Sequence, residues 1–133
     1  MLFRSTIKRR LNFLQDLSDY LLGQDIFLNL PPSRNISPFY FALELVDDLK
    51  NNKVEFCEMA SNAGIDLAFE YQCILSDWNC VDQFPCKVIS KKNVSRAKKN
   101  LFNLFLNEKH RKEHASKIAE EFIKISQLLR KRK

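Results

Sequence analysis

Glycine is nearly absent from this chain: Gly23 and Gly64 are the two among 133 residues. Walker- and Rossmann-type phosphate loops need several closely spaced glycines, so nucleotide binding of that kind is excluded. The four cysteines, Cys57, Cys73, Cys80 and Cys86, form no CxxC pair. Structural zinc sites use tighter pairing, and disulfides need an oxidising compartment, so reduced and partly buried thiols are expected. No stretch approaches the ~20 apolar residues of a membrane span. Residues 1–15 lack the uninterrupted apolar core of a secretory signal. The expected setting is intracellular, cytoplasmic or nuclear. Those same residues are basic, acid-free and amphipathic, which also suits a mitochondrial targeting segment; an ordinary first helix is the preferred reading.

Histidine is scarce as well. His110 and His114 stand four apart, but the residues between them are Arg111, Lys112 and Glu113, so no HExxH metal motif is made. Cationic neighbours disfavour a metal ion. With only these two histidines, a Ser–His or Cys–His nucleophile pair has little support. Asp47 and Asp48 are adjacent and would leave a helix on different sides. No enzyme, metal, cofactor or small-molecule substrate is expected.

What the chain does have is polarity along its length. Residues 90–133 hold 14 Lys/Arg against 4 Asp/Glu, residues 1–15 hold 4 against none, and residues 16–89 hold 4 against 12. Basic ends flank an acidic middle. Such ends can meet a polyanion, pair with the middle, or meet an acidic partner chain. At 45% hydrophobic residues with 11 phenylalanines, the chain can build a real core and is not disordered.

Residues 3–22 read as an amphipathic helix, with Ile7, Leu11, Leu14, Leu17 and Leu21 on one side and Gly23 as its stop. A connector containing Pro31, Pro32 and Pro38 follows. Ser37 and Pro38 then suit the start of a helix over 38–51, with Phe39, Ala42, Leu43, Val46 and Leu49 toward a core. Residues 65–75 alternate as a half-buried strand through Ile65, Leu67, Phe69, Tyr71, Cys73 and Leu75. Residues 83–89 alternate through Phe84, Cys86 and Val88, and Val54 and Phe56 allow a preceding strand. A helical reading competes throughout 53–89. Phe56, Met59, Ala60 and Ala63 share a helical face, and Gly64 fits the left-handed position after a helix end. A helix is expected over 93–107 and a last one over 112–130, with Ala115, Ile118, Phe122, Ile125 and Leu129 on its stripe. The fold class is therefore α+β, a helix-strand-strand-strand-helix domain flanked by N- and C-terminal helices; an all-α bundle is the alternative. The expected divisions are 1–35, 36–107 and 108–133.

Residues 90–106, SKKNVSRAKKNLFNLFL, carry five basic residues and no acidic one. Lys92, Arg96 and Lys99 fall on the helical stripe opposite Val94, Ala97, Leu101, Leu104 and Phe105. The helix-strand-strand-strand-helix order over 38–106 resembles the double-stranded-RNA-binding domain. In that family the second helix opens on a Ser-Lys-Lys-x-Ala-Lys type motif. Here Ser90, Lys91 and Lys92 match its start, Val94 replaces the small apolar residue, and Arg96 lies one step beyond the place of the third lysine, which Ser95 occupies. The family's Gly-Pro-x-His loop and its glycine-rich run before the second helix are missing.

The resemblance implies phosphate contacts from this helix and, with the minor-groove loop lost, weakened duplex binding. The expected function is a non-catalytic module contacting structured RNA through Lys91, Lys92, Arg96, Lys98 and Lys99. The alternative is a protein–protein interaction or dimerisation adaptor of a larger complex, docking through Phe122, Ile125 and Leu129 on the last helix.

Overall fold

The computed structural model describes residues 2–30, 39–69 and 92–132. Helix α1 spans Leu2–Leu21, strand β1 Tyr40–Glu44, helix α2 Lys53–Asn62, strand β2 Leu67–Ala68, helix α3 Lys92–Asn100, strand β3 Leu101–Phe105 and helix α4 Lys112–Lys131. A short 3-10 turn, Lys50–Asn52, leads into α2. The three strands form an antiparallel sheet in the order β1-β3-β2. The class is α+β with a helix at each end; strands at 40–44 and 101–105 set the all-helical alternative aside. No helix among the described residues is long and apolar enough to cross a membrane.

Period decides which elements form. In β1 and β3 alternate residues Phe41, Leu43, Phe102 and Leu104 are buried, and their neighbours face the other side of the sheet. In α1, Phe13, Leu14, Leu17 and Leu21 are buried at helical spacing, and in α4 Ala115, Ala119, Phe122, Ile125 and Leu129 are. The two terminal helices pack on each other, and α2 packs on α4. All of them converge on one core that also takes in Ile26 and Phe27 from the segment after α1.

Four phenylalanines from four different stretches meet at its centre. Phe27 lies edge-on to Phe122 with ring centroids 5.2 Å apart and to Phe56 at 6.0 Å. Phe56 also meets Phe122 at 5.5 Å and Phe102 at 6.0 Å. Burying each such ring contributes ~1.5–3 kcal/mol, and these edge-on and tilted geometries suit the ring quadrupole.

Several expected elements change type. Residues 38–51 were expected as one helix, but 40–44 form β1 because Phe41, Leu43 and Leu45 alternate into the core and pair with β3. The helical stripe expected there is split, leaving Phe39 exposed. Residues 53–62 take the helical reading rather than the strand. That helix ends as its sequence suggests: Gly64 has φ +85°, its N–H donates to the Ser61 carbonyl at 2.9 Å, and the Ile65 N–H donates to the Ala60 carbonyl at 3.0 Å. These are the two bonds of a Schellman motif, closed by buried Ile65.

The expected helix over 93–107 stops at Asn100. Its second half becomes β3 because Phe102, Leu104 and Leu106 alternate into the core. The element order between the terminal helices is thus strand, helix, strand, helix, strand over the described residues, not the order implied by the double-stranded-RNA-binding domain. Of the expected strand over 65–75, residues 65–69 are described, and of these Leu67 and Ala68 form β2. The strand at 83–89 and the prolines at 31, 32 and 38 lie outside the described residues.

Candidate nucleic-acid interface

Helix α3 carries Lys92, Arg96, Lys98 and Lys99 and no acidic residue. Lys92, Ser95, Arg96 and Lys99 are exposed, whereas Lys98 is half-buried. Three of the expected cations therefore share the solvent side of one short helix. Lys91 lies outside the described residues.

What holds α3 in place is a lysine from another helix. Lys53, the first residue of α2, is 8% exposed, and its Nζ donates to the carbonyls of Lys98 and Leu101, each at 3.2 Å. These oxygens sit where the helix ends and the strand begins, a place where carbonyls lose their helical partners. A cation there satisfies them and complements the negative end of the helix dipole. This residue gave no sequence signal, because an isolated lysine near Asn51 and Asn52 reads as a solvated surface charge.

On the sheet's side, Glu44 accepts from Asn100 Nδ2 at 3.2 Å and pairs with Arg96 at 3.5 Å. Arg96 is still 69% exposed in this pair, so the contact is solvent-screened and weak. It sets the direction of the guanidinium without burying it.

The acidic middle does meet the basic ends elsewhere. Arg130 Nε pairs with Asp48 at 2.7 Å and its guanidinium also donates to the Asp25 carbonyl at 2.7 Å; Arg132 pairs with Glu55. The basic C-terminus is thus partly neutralised within the fold. Lys99 makes no ion pair among the described residues, and α3 remains cationic.

Aromatic residues assigned to cores or passed over in the sequence stand exposed at the far end of the sheet. Tyr40 and Phe105 are register partners in β1 and β3, on the face opposite Phe41 and Leu104. Phe39, Tyr40 and Phe105 are 55%, 56% and 41% exposed. The Arg10 guanidinium lies 5.1 Å from the Phe39 ring centroid and 3.7 Å from Glu108. The signal was available in the alternation Tyr40, Ala42, Glu44 and Leu101, Asn103, Phe105, once both stretches are read as strands.

The expected partner-docking residues are not on a surface. Phe122, Ile125 and Leu129 are 0–2% exposed inside the core, where α4 meets α1 and α2, so that stripe closes this fold itself.

The two histidines do local structural work. The Asn107 N–H donates to His110 Nδ1 at 3.3 Å, and the Arg111 N–H donates to His114 Nδ1 at 2.9 Å. The second contact is the reach-back half of a capping box at the start of α4; Arg111 has no acceptor with which to supply the other half. His110 stacks on Phe13 at 4.5 Å. Burial, then the neighbouring His114, holds its pKa below 6.5, against a smaller pull from Asp66. Cys57 is fully buried, and desolvation pushes its thiol up to about 12. Such a thiol is not a nucleophile at neutral pH.

No family model matches the chain, and no curated protein is similar to it. Among solved structures, the fold is similar to part of a putative sugar aminotransferase from Streptococcus pneumoniae in its PMP form. The TM-score is 0.71 at 16% identity, over 95% of this chain and 32% of that one. The likeness is one of fold alone, and the chain spans about a third of that protein's length.

Proposed function

We propose that this chain is a non-catalytic binding module for RNA, contacting phosphates through the exposed side of α3. One observation carries the reading: Lys92, Arg96 and Lys99 are presented together on an acid-free helix whose end is fastened by a buried lysine. A cationic surface of this kind attracts a polyanion by releasing condensed counterions, and its affinity depends on salt. An intracellular setting belongs to the same proposal.

The test is binding to a short RNA, followed by fluorescence anisotropy as salt is raised from 50 to 200 mM. With about three phosphates neutralised, affinity should fall ~20- to 40-fold over that range. Replacing Lys92 and Lys99 by glutamine should remove about two counterions from the slope. Absence of binding by folded, monodisperse protein would refute the proposal and leave a protein-binding adaptor as the reading to pursue.

A further inference from the structure

The aromatic end of the sheet extends that reading, on which this inference rests. We propose that Tyr40 and Phe105 form a stacking site for unpaired nucleotide bases. The RNA taken by this module is then single-stranded or looped where it crosses the sheet.

Strand geometry places the rings. Tyr40 and Phe105 face each other across β1 and β3, on the side away from the core. Directly opposed residues in an antiparallel pair have Cβ atoms ~4.5–5.5 Å apart, so the two side chains leave the sheet side by side. Neither ring stacks on another ring among the described residues. About half exposed on the solvent side of the sheet, these two rings forgo part of the burial that stabilises Phe41 and Leu104 one residue away.

The charges around the patch indicate the occupant. The outer face runs from Tyr40 and Phe105 to Glu44 and Leu101, four residues along and therefore ~13 Å away. At that second end Arg96 leans over Glu44, and Lys92 and Lys99 follow on α3. Ala42 and Asn103, half-buried register partners, lie between the two ends. A strand whose phosphates meet α3 thus has π-faces for its bases within two or three nucleotides' reach. Base–aromatic stacking beside a cationic track is how single strands are held without sequence preference. Two carboxylates, Asp66 and Glu108, line the recess beside Phe39 and Phe105, and Glu108 is held by Arg10. They keep phosphates off that rim and direct the backbone to the α3 side. A duplex, whose bases are stacked on each other, cannot use the rings.

The experiment compares the full chain with Tyr40→Leu/Phe105→Leu and with Lys92→Gln/Lys99→Gln. The probes are oligouridylate, an RNA duplex and inorganic polyphosphate, which carries charge without bases. The ring variant should lose roughly ten- to a hundredfold on oligouridylate and nothing on polyphosphate, with its salt slope unchanged. Circular dichroism checks that each variant folds. In the unaltered chain, oligouridylate but not polyphosphate should quench tyrosine emission and shift the Tyr40 and Phe105 amide resonances. Equal binding of oligouridylate by the ring variant and the unaltered chain, with loss in the lysine variant, would overturn the stacking site while the phosphate-binding reading stands. Failure of the unaltered chain to bind any probe overturns both and leaves the aromatic patch to a protein partner. Shifts at Tyr40 and Phe105 with polyphosphate alone would also overturn it.

Discussion

Replacing Lys53 by methionine tests the reasoning about α3 most directly. Methionine keeps the length and much of the volume of the lysine stem but removes the ammonium, leaving the Lys98 and Leu101 carbonyls without this donor. Each half-buried carbonyl so stranded costs up to ~1–3 kcal/mol, and the end of α3 loses a favourable cation worth a further fraction. Against this, burial of a charged group is itself expensive, and the neutral side chain is relieved of that cost. The opposing terms leave a net destabilisation of about 2 kcal/mol. For a chain of this size that is a fall in Tm of ~6–10 °C. Urea unfolding would read it as a lower midpoint at unchanged m, and native-state hydrogen exchange should show the loss of protection concentrated around residues 98–102. Val54→Ala, one position on and 50% exposed, is the control and should stay within about 0.5 kcal/mol. A Lys53→Met protein as stable as the unaltered chain, with the same exchange pattern, would refute the view that this lysine fastens the joint.

Three further outcomes follow from described contacts. His110 resists protonation in the folded state, so the unfolded chain takes up more protons; the stability it contributes is present above about pH 6.5 and is lost as pH falls through the lower folded value. The urea midpoint of the unaltered chain should drop between pH 7.5 and pH 5.5 by more than that of His110→Gln. At Gly64 a methyl group would meet no atom within 4 Å, so Gly64→Ala isolates backbone strain at φ +85° and should cost about 1 kcal/mol, with Gly64→Asn costing less. Cys57, with its thiol raised to about 12, should escape iodoacetamide at pH 8 in the native protein and react in urea, as read by peptide mass mapping.

The terminal helices are legible in the sequence because each offers an unbroken 3.6-residue stripe: Leu14, Leu17 and Leu21 in one, Phe122, Ile125 and Leu129 in the other. So is the end of α2, where Gly64 has a specific conformational task. What misleads is the stretch around β1. Phe39, Ala42, Leu43 and Val46 satisfy helical spacing while Phe41, Leu43 and Leu45 satisfy strand spacing, and only pairing with a distant segment decides between them. β3 is hidden for the same reason, since no glycine or proline separates it from α3. The site divides likewise. The α3 cations stand in one run and can be found by composition, whereas Lys53 and the opposed pair Tyr40 and Phe105 are brought to their places by contacts across 45 to 65 residues of chain, which spacing rules do not encode.

The edge of β1 has a consequence for how this protein behaves in crowded solution. Beside that strand the Leu28 N–H donates to the Glu44 carbonyl at 2.8 Å, and the Val46 N–H to the Ile26 carbonyl at 3.0 Å. Asn29 extends the cover with its side-chain amide, donating to the Ala42 carbonyl and accepting the Glu44 N–H at 3.0 Å. An amide that imitates one peptide unit but carries no continuing chain terminates the ladder. It occupies two of the groups that another molecule's strand would need, and it offers no next residue to template. Unsheathed edges are where β proteins zip together into aggregates. Asn29 thus acts as a chain terminator for sheet growth, and fibrillar self-assembly from this side would first have to evict it.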